Sequence, residues 1–316
     1  LVSANLAATT QGAKTVAGGT NGAITLRAGT TGTSTLSVYD EIVTTPTTAG
    51  RAGGTVILEA GGAITLTGAI SGTITTTGNT TGAGGEVFIH HTGAAAGDIT
   101  LGENITAKGG ASGSGGVVTV LNDNGAIKVQ ATVDVSKGGV GGNDGAIQLQ
   151  ATGDITNGVL SGLTGDTDGR LKVYSTGGKI DLSTGNHAMK YASFLTNTAA
   201  GTDGSIKYYD TTDLTVTSIA NGLGTLVAPS LVSANLAATT QGAKTVAGST
   251  NGAITLRAGT TGTSTLQVNE AIVTTPSAAG TAGGAVILEA GGAIALGGIG
   301  SGTITTNSTL PFEPLG

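Results

Sequence analysis

Ala23-Ile24-Thr25-Leu26-Arg27-Ala28 is an alternating run entered from Gly22. Its period of two puts Ile24 and Leu26 on one side of an extended chain and Thr25 and Arg27 on the other. Runs of the same kind follow at Val56-Ile57-Leu58-Glu59-Ala60, Val87-Phe88-Ile89-His90, Val118-Thr119-Val120, Ile147-Gln148-Leu149-Gln150, Leu171-Lys172-Val173-Tyr174 and Ile206-Lys207-Tyr208, and again from Ile254 and Val286. Their first residues are separated by 32, 31, 31, 29, 24, 35, 48 and 32 positions. Each interval holds two or three strand-like pieces, as in Val56 to Ala60, Ile64-Thr65-Leu66 and Ile74-Thr75-Thr76. The glycine and threonine load and the lack of any 3.6-residue stripe argue against helix.

A short period of this length with three faces predicts an all-β chain, a right-handed parallel β-helix of about 31–33-residue, three-faced rungs. Stacked rungs place Ile, Val and Leu of one coil over those of the next, building an aliphatic column that no single coil could bury alone. A string of immunoglobulin-like sandwiches is the competing architecture. It would repeat near 100 residues with hairpin turns, which this spacing fits poorly.

Many isoleucines follow a glycine by two positions, as in Gly62-Ala63-Ile64, Gly97-Asp98-Ile99, Gly125-Ala126-Ile127 and Gly178-Lys179-Ile180. The expectation is that each such glycine supplies a positive φ at a corner and that the isoleucine then turns inward.

A second, longer repeat encloses the short one. Residues 1 to 76 return at 231 to 306 with 63 of 76 positions identical, an offset of 230. The first seven short intervals fill that offset, so residues 1–230 read as one tandem unit of about seven rungs and 231–316 as the start of the next. At about 4.8 Å per rung the unit should advance about 34 Å. Large, nearly identical tandem units are a way to gain length, which points to a structural or adhesive role.

Composition agrees with a folded chain. Glycine makes up 58 of 316 residues, yet 38% of the chain is hydrophobic and its net charge is only -6, enough apolar residues at ordered positions for a core. The absence of cysteine fits an exported protein, and the acidic balance argues against nucleic acid. No run has the length of a membrane span, so membrane insertion is not expected.

The pattern breaks over about residues 152–250, where Tyr174, Met189, Tyr191, Phe194, Tyr208 and Tyr209 gather. One reading gives these large side chains to the core of a wider rung, with Tyr208 inward. The other has Tyr191, Phe194 and Tyr209 protruding as a lateral contact for another subunit or a glycan. The 48-residue interval carries about sixteen surplus residues near Val227-Ala228-Pro229-Ser230-Leu231 and 235–242, which either cap the side of the column or reach a partner.

Chemistry is sparse. His90 and His91 are adjacent, so a strand sends them to opposite sides, and His90 is expected in solvent; His187 stands alone. A polysaccharide-cleaving β-helix would need carboxylates converging from consecutive rungs, for which Asp123, Asp134, Asp144 and Asp154 are the candidates. Asp144 and Asp154 sit beside glycines where aspartate is common for its own backbone bonding. Asp166 and Asp168, two apart in a loop, are weak calcium candidates. No catalytic, cofactor or firm metal site is read from the sequence.

Runs such as Gly97-Asp98-Ile99-Thr100-Leu101, Asn104-Ile105-Thr106-Ala107-Lys108-Gly109-Gly110, Gly115-Gly116-Val117-Val118 and Gly153-Asp154-Ile155-Thr156 resemble the β-helical shafts of filamentous-haemagglutinin-like exoproteins, bacterial surface proteins exported by two-partner secretion. The resemblance implies an extracellular or cell-surface shaft that serves as spacer and adhesive filament without catalytic residues. Its expected partners are adjacent copies end to end, with lateral self-assembly or a glycan as further partners.

Overall fold

The structure is a computed structural model describing residues 13–14, 22–29, 32–67, 72–93, 95–159, 162–199, 202–219, 240–246, 252–259, 262–276, 282–297 and 302–307. Among these residues there are 28 strands and no helix. Every pairing in the large sheet is parallel and links a strand to one about a coil further along the chain. The chain is a parallel β-helix. A string of sandwiches is thereby excluded, since hairpin pairing would be antiparallel.

Three ladders run along the column. The first face stacks Ile24–Ala28, Val56–Ala60, Glu86–His91, Val117–Asn122 and Ala146–Ala151, then residues 170–175 of the Gly162–Ser175 strand and 191–196 of the Ile180–Asn197 strand. The second stacks Leu36–Val38, Ile64–Leu66, Ile99–Leu101, Ile127–Val129 and Ile155–Asn157, then residues 180–182 and Ile206–Asp210. The third begins with Ala13–Lys14, Ile42–Val43, Ile74–Thr75, Ile105–Thr106 and Thr132–Asp134 and passes to residues 162–164 and 188–189.

Registry follows from the alternation. A slip of one residue would send every inward side chain out, so Ile24 pairs with Val56, Val56 with Val87, Val87 with Val118 and Val118 with Ile147. One coil contributes Val87, Ile89, Ile99, Leu101, Ile105 and Ala107 to the core, all fully buried. Burying a large aliphatic side chain is worth about 1.5–3 kcal/mol, and the buried positions join into one cluster from Ile24 to Ile272. That cluster crosses the boundary between the two repeats without a gap.

The glycines that precede the isoleucines have a role other than the expected one. The positive-φ glycines among the described residues do not include Gly62, Gly97, Gly125 or Gly178. A Cβ on Gly125 would lie 2.1 Å from the Gly97 carbonyl oxygen, and one on Gly62 2.5 Å from that of Thr33. These positions need glycine because the backbone of the neighbouring coil passes too close for a side chain.

The line expected to run from Leu171 to Ile206 is corrected. Ile206 does not continue the line of Leu171; it pairs with Ile180 and belongs to the second face. Leu171 instead pairs with Ala192 on an unusually short coil. The irregular region is therefore a set of small coils, in which the Gly162–Ser175 and Ile180–Asn197 strands run round corners with register shifts at Gly165/Arg170 and Leu182/His187. At the long interval, Ser218–Ile219 and Thr240–Gln241 pair antiparallel, so the two ends of that interval meet. Most of the surplus residues lie outside the described ones.

Candidate functional site

The densest polar chemistry in the regular coils is at the corner after the first face. Asn122 faces inward there and its side chain is bonded throughout: Nδ2 donates to the carbonyls of Gly97 at 2.9 Å and Ala126 at 2.8 Å, and Oδ1 accepts from the Asn124 N–H at 3.1 Å. His91 Nδ1 lies 2.9 Å from the same Oδ1 and must donate, which leaves buried Nε2 as an acceptor with no partner. Two coils further on, past Ala151, Ser175 repeats the device, donating to Gly153 O at 2.8 Å and accepting from Gly178 N. These inward polar groups satisfy backbone atoms that a sharp corner cannot pair with a neighbouring strand.

His90 points outward, as alternation requires, but it is only 2% exposed. The expectation of a solvated His90 is corrected. Its Nε2 bonds Asp123 Oδ2 at 2.9 Å and its ring packs 5.5 Å from that of Phe88, also buried. Several other outward side chains of this face are buried as well: Ile57, Glu59, Phe88, Leu121, Gln148 and Lys172 have little exposure, and burial brings the Lys172 pKa down to about 8. Beside this row, Asn122, Asp123, Gln150, Thr152, Tyr174 and Thr176 line a surface groove of about 470 Å³. The groove combines a carboxylate, two amides and a phenol ring.

In the small coils the large side chains fill the core. Phe194 is fully buried, its ring centroid 5.0 Å from that of Tyr208, so the expectation that Phe194 protrudes is also corrected. It falls in the inward register between Ala192 and Thr196, where alternation sends it to the axis. Tyr191 and Tyr209 are partly exposed but on different faces, the first on residues 191–196 and the second on Ile206–Asp210 beneath Arg257. The three expected contact residues do not form one surface.

Around Tyr208 the structure holds a polar cluster that the sequence did not reveal. Tyr208 Oη donates to Asp210 Oδ2 at 2.6 Å, and the same carboxylate accepts from Met189 N at 2.9 Å and from the N–H and hydroxyl of Thr212 at 2.8 Å each. Burial raises the Asp210 carboxyl despite these donors, and it drives the Tyr208 hydroxyl far above its ordinary value. His187 stacks on Tyr208 with centroids 5.6 Å apart. Its Nδ1 accepts from Leu163 N at 3.1 Å, its Nε2 lies 2.9 Å from Asn157 Nδ2, and burial lowers its pKa to about 4. The Tyr208-Tyr209-Asp210 triplet was the available signal, because alternation puts Tyr208 and Asp210 on one side.

The carboxylates considered for catalysis do not converge. Asp123 is turned to His90, Asp154 Oδ1 accepts from Lys179 N at 3.0 Å, and Asp134 Oδ1 from Ser136 N at 2.8 Å on the third face. Asp144 accepts from the N–H groups of Lys137, Thr167 and Asp168; burial alone would raise its carboxyl, but these donors outweigh it and hold the pKa low. Asp168 accepts in turn from Asp144 N, so it clips two loops together. The side chain of Asp166 lies outside the described residues. Among the described residues no three His, Asp or Glu groups lie together as metal ligands would.

No family model, curated protein or solved structure matches this chain.

Proposed function

We propose that this chain is a segment of the rigid shaft of a secreted or cell-surface protein, of the kind found in filamentous-haemagglutinin-like exoproteins, and that its repeats extend the shaft end to end. One observation carries the reading. The last coil of the first repeat and the first coil of the second are joined on all faces by in-register parallel ladders: 194–197 on Ala243–Val246, Ile206–Asp210 on Ile254–Ala258, and Leu214–Val216 on Leu266–Val268. Among the described residues the ladders run on from one repeat to the next, so adding repeats adds stiff length.

The two copies also give an internal measure of what stacking does. Ile64, Leu66 and Ile74 are fully buried beneath the next coil, while their counterparts Ile294, Leu296 and Ile304 are 45%, 53% and 41% exposed. Gold-labelled antibody against this chain, applied to intact cells that produce it, should decorate filaments outside the cell. Labelling confined to the cell interior overturns the proposal.

The groove beside Tyr174 favours a second reading, a shaft that also holds a glycan. Saturable binding on a glycan array that disappears with Tyr174→Ala supports it, and binding that survives the substitution removes the groove from consideration.

A further inference from the structure

The two copies of each repeated strand lie on different faces of the column. Ile24–Ala28 belongs to the first face, whereas Ile254–Ala258 is stacked on Ile206–Asp210 and so continues the second. Leu36–Val38 belongs to the second face, but Leu266–Val268 pairs with Leu214–Val216, which follows the second-face strand Ile206–Asp210 along the chain and precedes the first-face strand Ala243–Val246, and which meets residues 191–192 where the long strand passes from the third-face segment 188–189 into the first face. Ala13–Lys14 starts the third face, and Ala243–Val246 stacks on residues 194–197 of the first. All three homologous strands have moved by one face in the same sense.

The cause is the run of small coils. Ile24 reaches the strand at 243–246 on its own face after seven full coils, passing Val56, Val87, Val118, Ile147, Leu171 and Ala192, and its sequence counterpart Ile254 begins one strand later. Local structure does not feel the change. Thr44 Oγ1 donates to Gly54 O at 3.0 Å, and Thr274 Oγ1 donates to Gly284 O at 3.0 Å in the same way on the next face round.

We infer that in an array of these repeats each repeat is turned one third of a revolution about the shaft axis relative to the one before, so that any surface occurring once per repeat returns to the same face only at every third repeat. This rests on the shaft reading and specifies its geometry. With about seven and a third coils at about 4.8 Å each, the axial step is about 35 Å and the same face recurs about every 105 Å. A once-per-repeat surface such as the Tyr174 groove is then offered in three directions around the shaft. The partner this fits is one dispersed around a filament, such as neighbouring shafts on three sides, and not a flat layer against one side.

The chain has no cysteine, so spin labels can be placed at will. With Lys207→Cys and Thr255→Cys, two outward neighbours on the second face, labels sit on backbones about 4.8 Å apart and strong dipolar broadening is expected. With Leu195→Cys and Arg257→Cys the labels lie on different faces and broadening is absent; these two would be neighbours only if the second repeat resumed the first face. Broadening in the second pair instead of the first overturns the rotation and leaves the shaft intact. Broadening in neither overturns rotation and shaft together. Melting of each singly labelled chain at the parent temperature shows that the labels leave the column folded.

Discussion

The guanidinium of Arg257 lies over the ring of Tyr209, 3.7 Å from its centroid, whereas Arg27, the same residue of the preceding repeat, is ion-paired with Glu59. One sequence position thus has different partners in the two repeats. At the boundary the arginine leaves the carboxylate of the following coil for the aromatic face of the coil before, and so helps to seat the second repeat on the first.

A double-mutant cycle on Arg257→Ala and Tyr209→Ala should give a coupling of about 0.5–1 kcal/mol, the range for a partly exposed cation–π contact. The corresponding cycle between Arg27→Ala and Tyr209→Ala should give none. Equal coupling in the two cycles contradicts the boundary contact.

Ile127→Asp places a carboxylate in the aliphatic column without a partner and should cost about 3–5 kcal/mol. Lys128 on the same strand is 44% exposed and bonds Asp98 at 2.6 Å; Lys128→Asp should cost about 1 kcal/mol or less. Thermal melts compare them directly, and equal loss would show that the face is misassigned.

Gly125→Ala should be destabilising by about 1–3 kcal/mol, because its Cβ would meet the Gly97 carbonyl oxygen at 2.1 Å. Gly158→Ala is the control: the nearest atom to its Cβ is 3.6 Å away and its φ is not positive, so the substitution should be neutral or slightly stabilising. Denaturant midpoints for the two variants check the close-approach account of these glycines.

His187 is held neutral, with a folded pKa of about 4 against an ordinary value of 6.5. The unfolded chain therefore binds the proton first as pH falls. The stability tied to a neutral His187 is complete above about pH 6.5 and is lost progressively down to about pH 4, by an amount on the order of 3 kcal/mol. Asp210 contributes in the opposite sense, since its raised carboxyl favours the folded form as pH falls. Urea unfolding across this window for the parent and His187→Phe isolates the histidine: the parent should lose more stability than the variant. Parallel pH curves contradict the assignment.

Much of the fold was legible because alternation and spacing act together. Val56, Val87, Val118 and Ile147 were aligned from the sequence as they pair in the column. Reading failed where chain length per coil changed. Leu171 to Ile206 was counted as one coil, but the Ile180–Asn197 strand runs round the corners between them and inserts Ala192 into the ladder first. Spacing alone cannot distinguish one long coil from a small coil plus part of another. Period-two logic placed Tyr208 inward and also implies an inward Phe194. The burial of the outward His90 had no signal in alternation, because it depends on contacts such as those with Asp123 and Phe88 and not on which side of the strand it takes.

The most direct test of the account is the length that each repeat adds. Chains carrying one, two and four copies of the 230-residue unit, measured by small-angle scattering, should behave as rods whose length grows by about 35 Å per copy at constant cross-section. Growth as flexibly linked beads, with a cross-section and hinge at each boundary, would contradict the continuous column on which the proposed function stands.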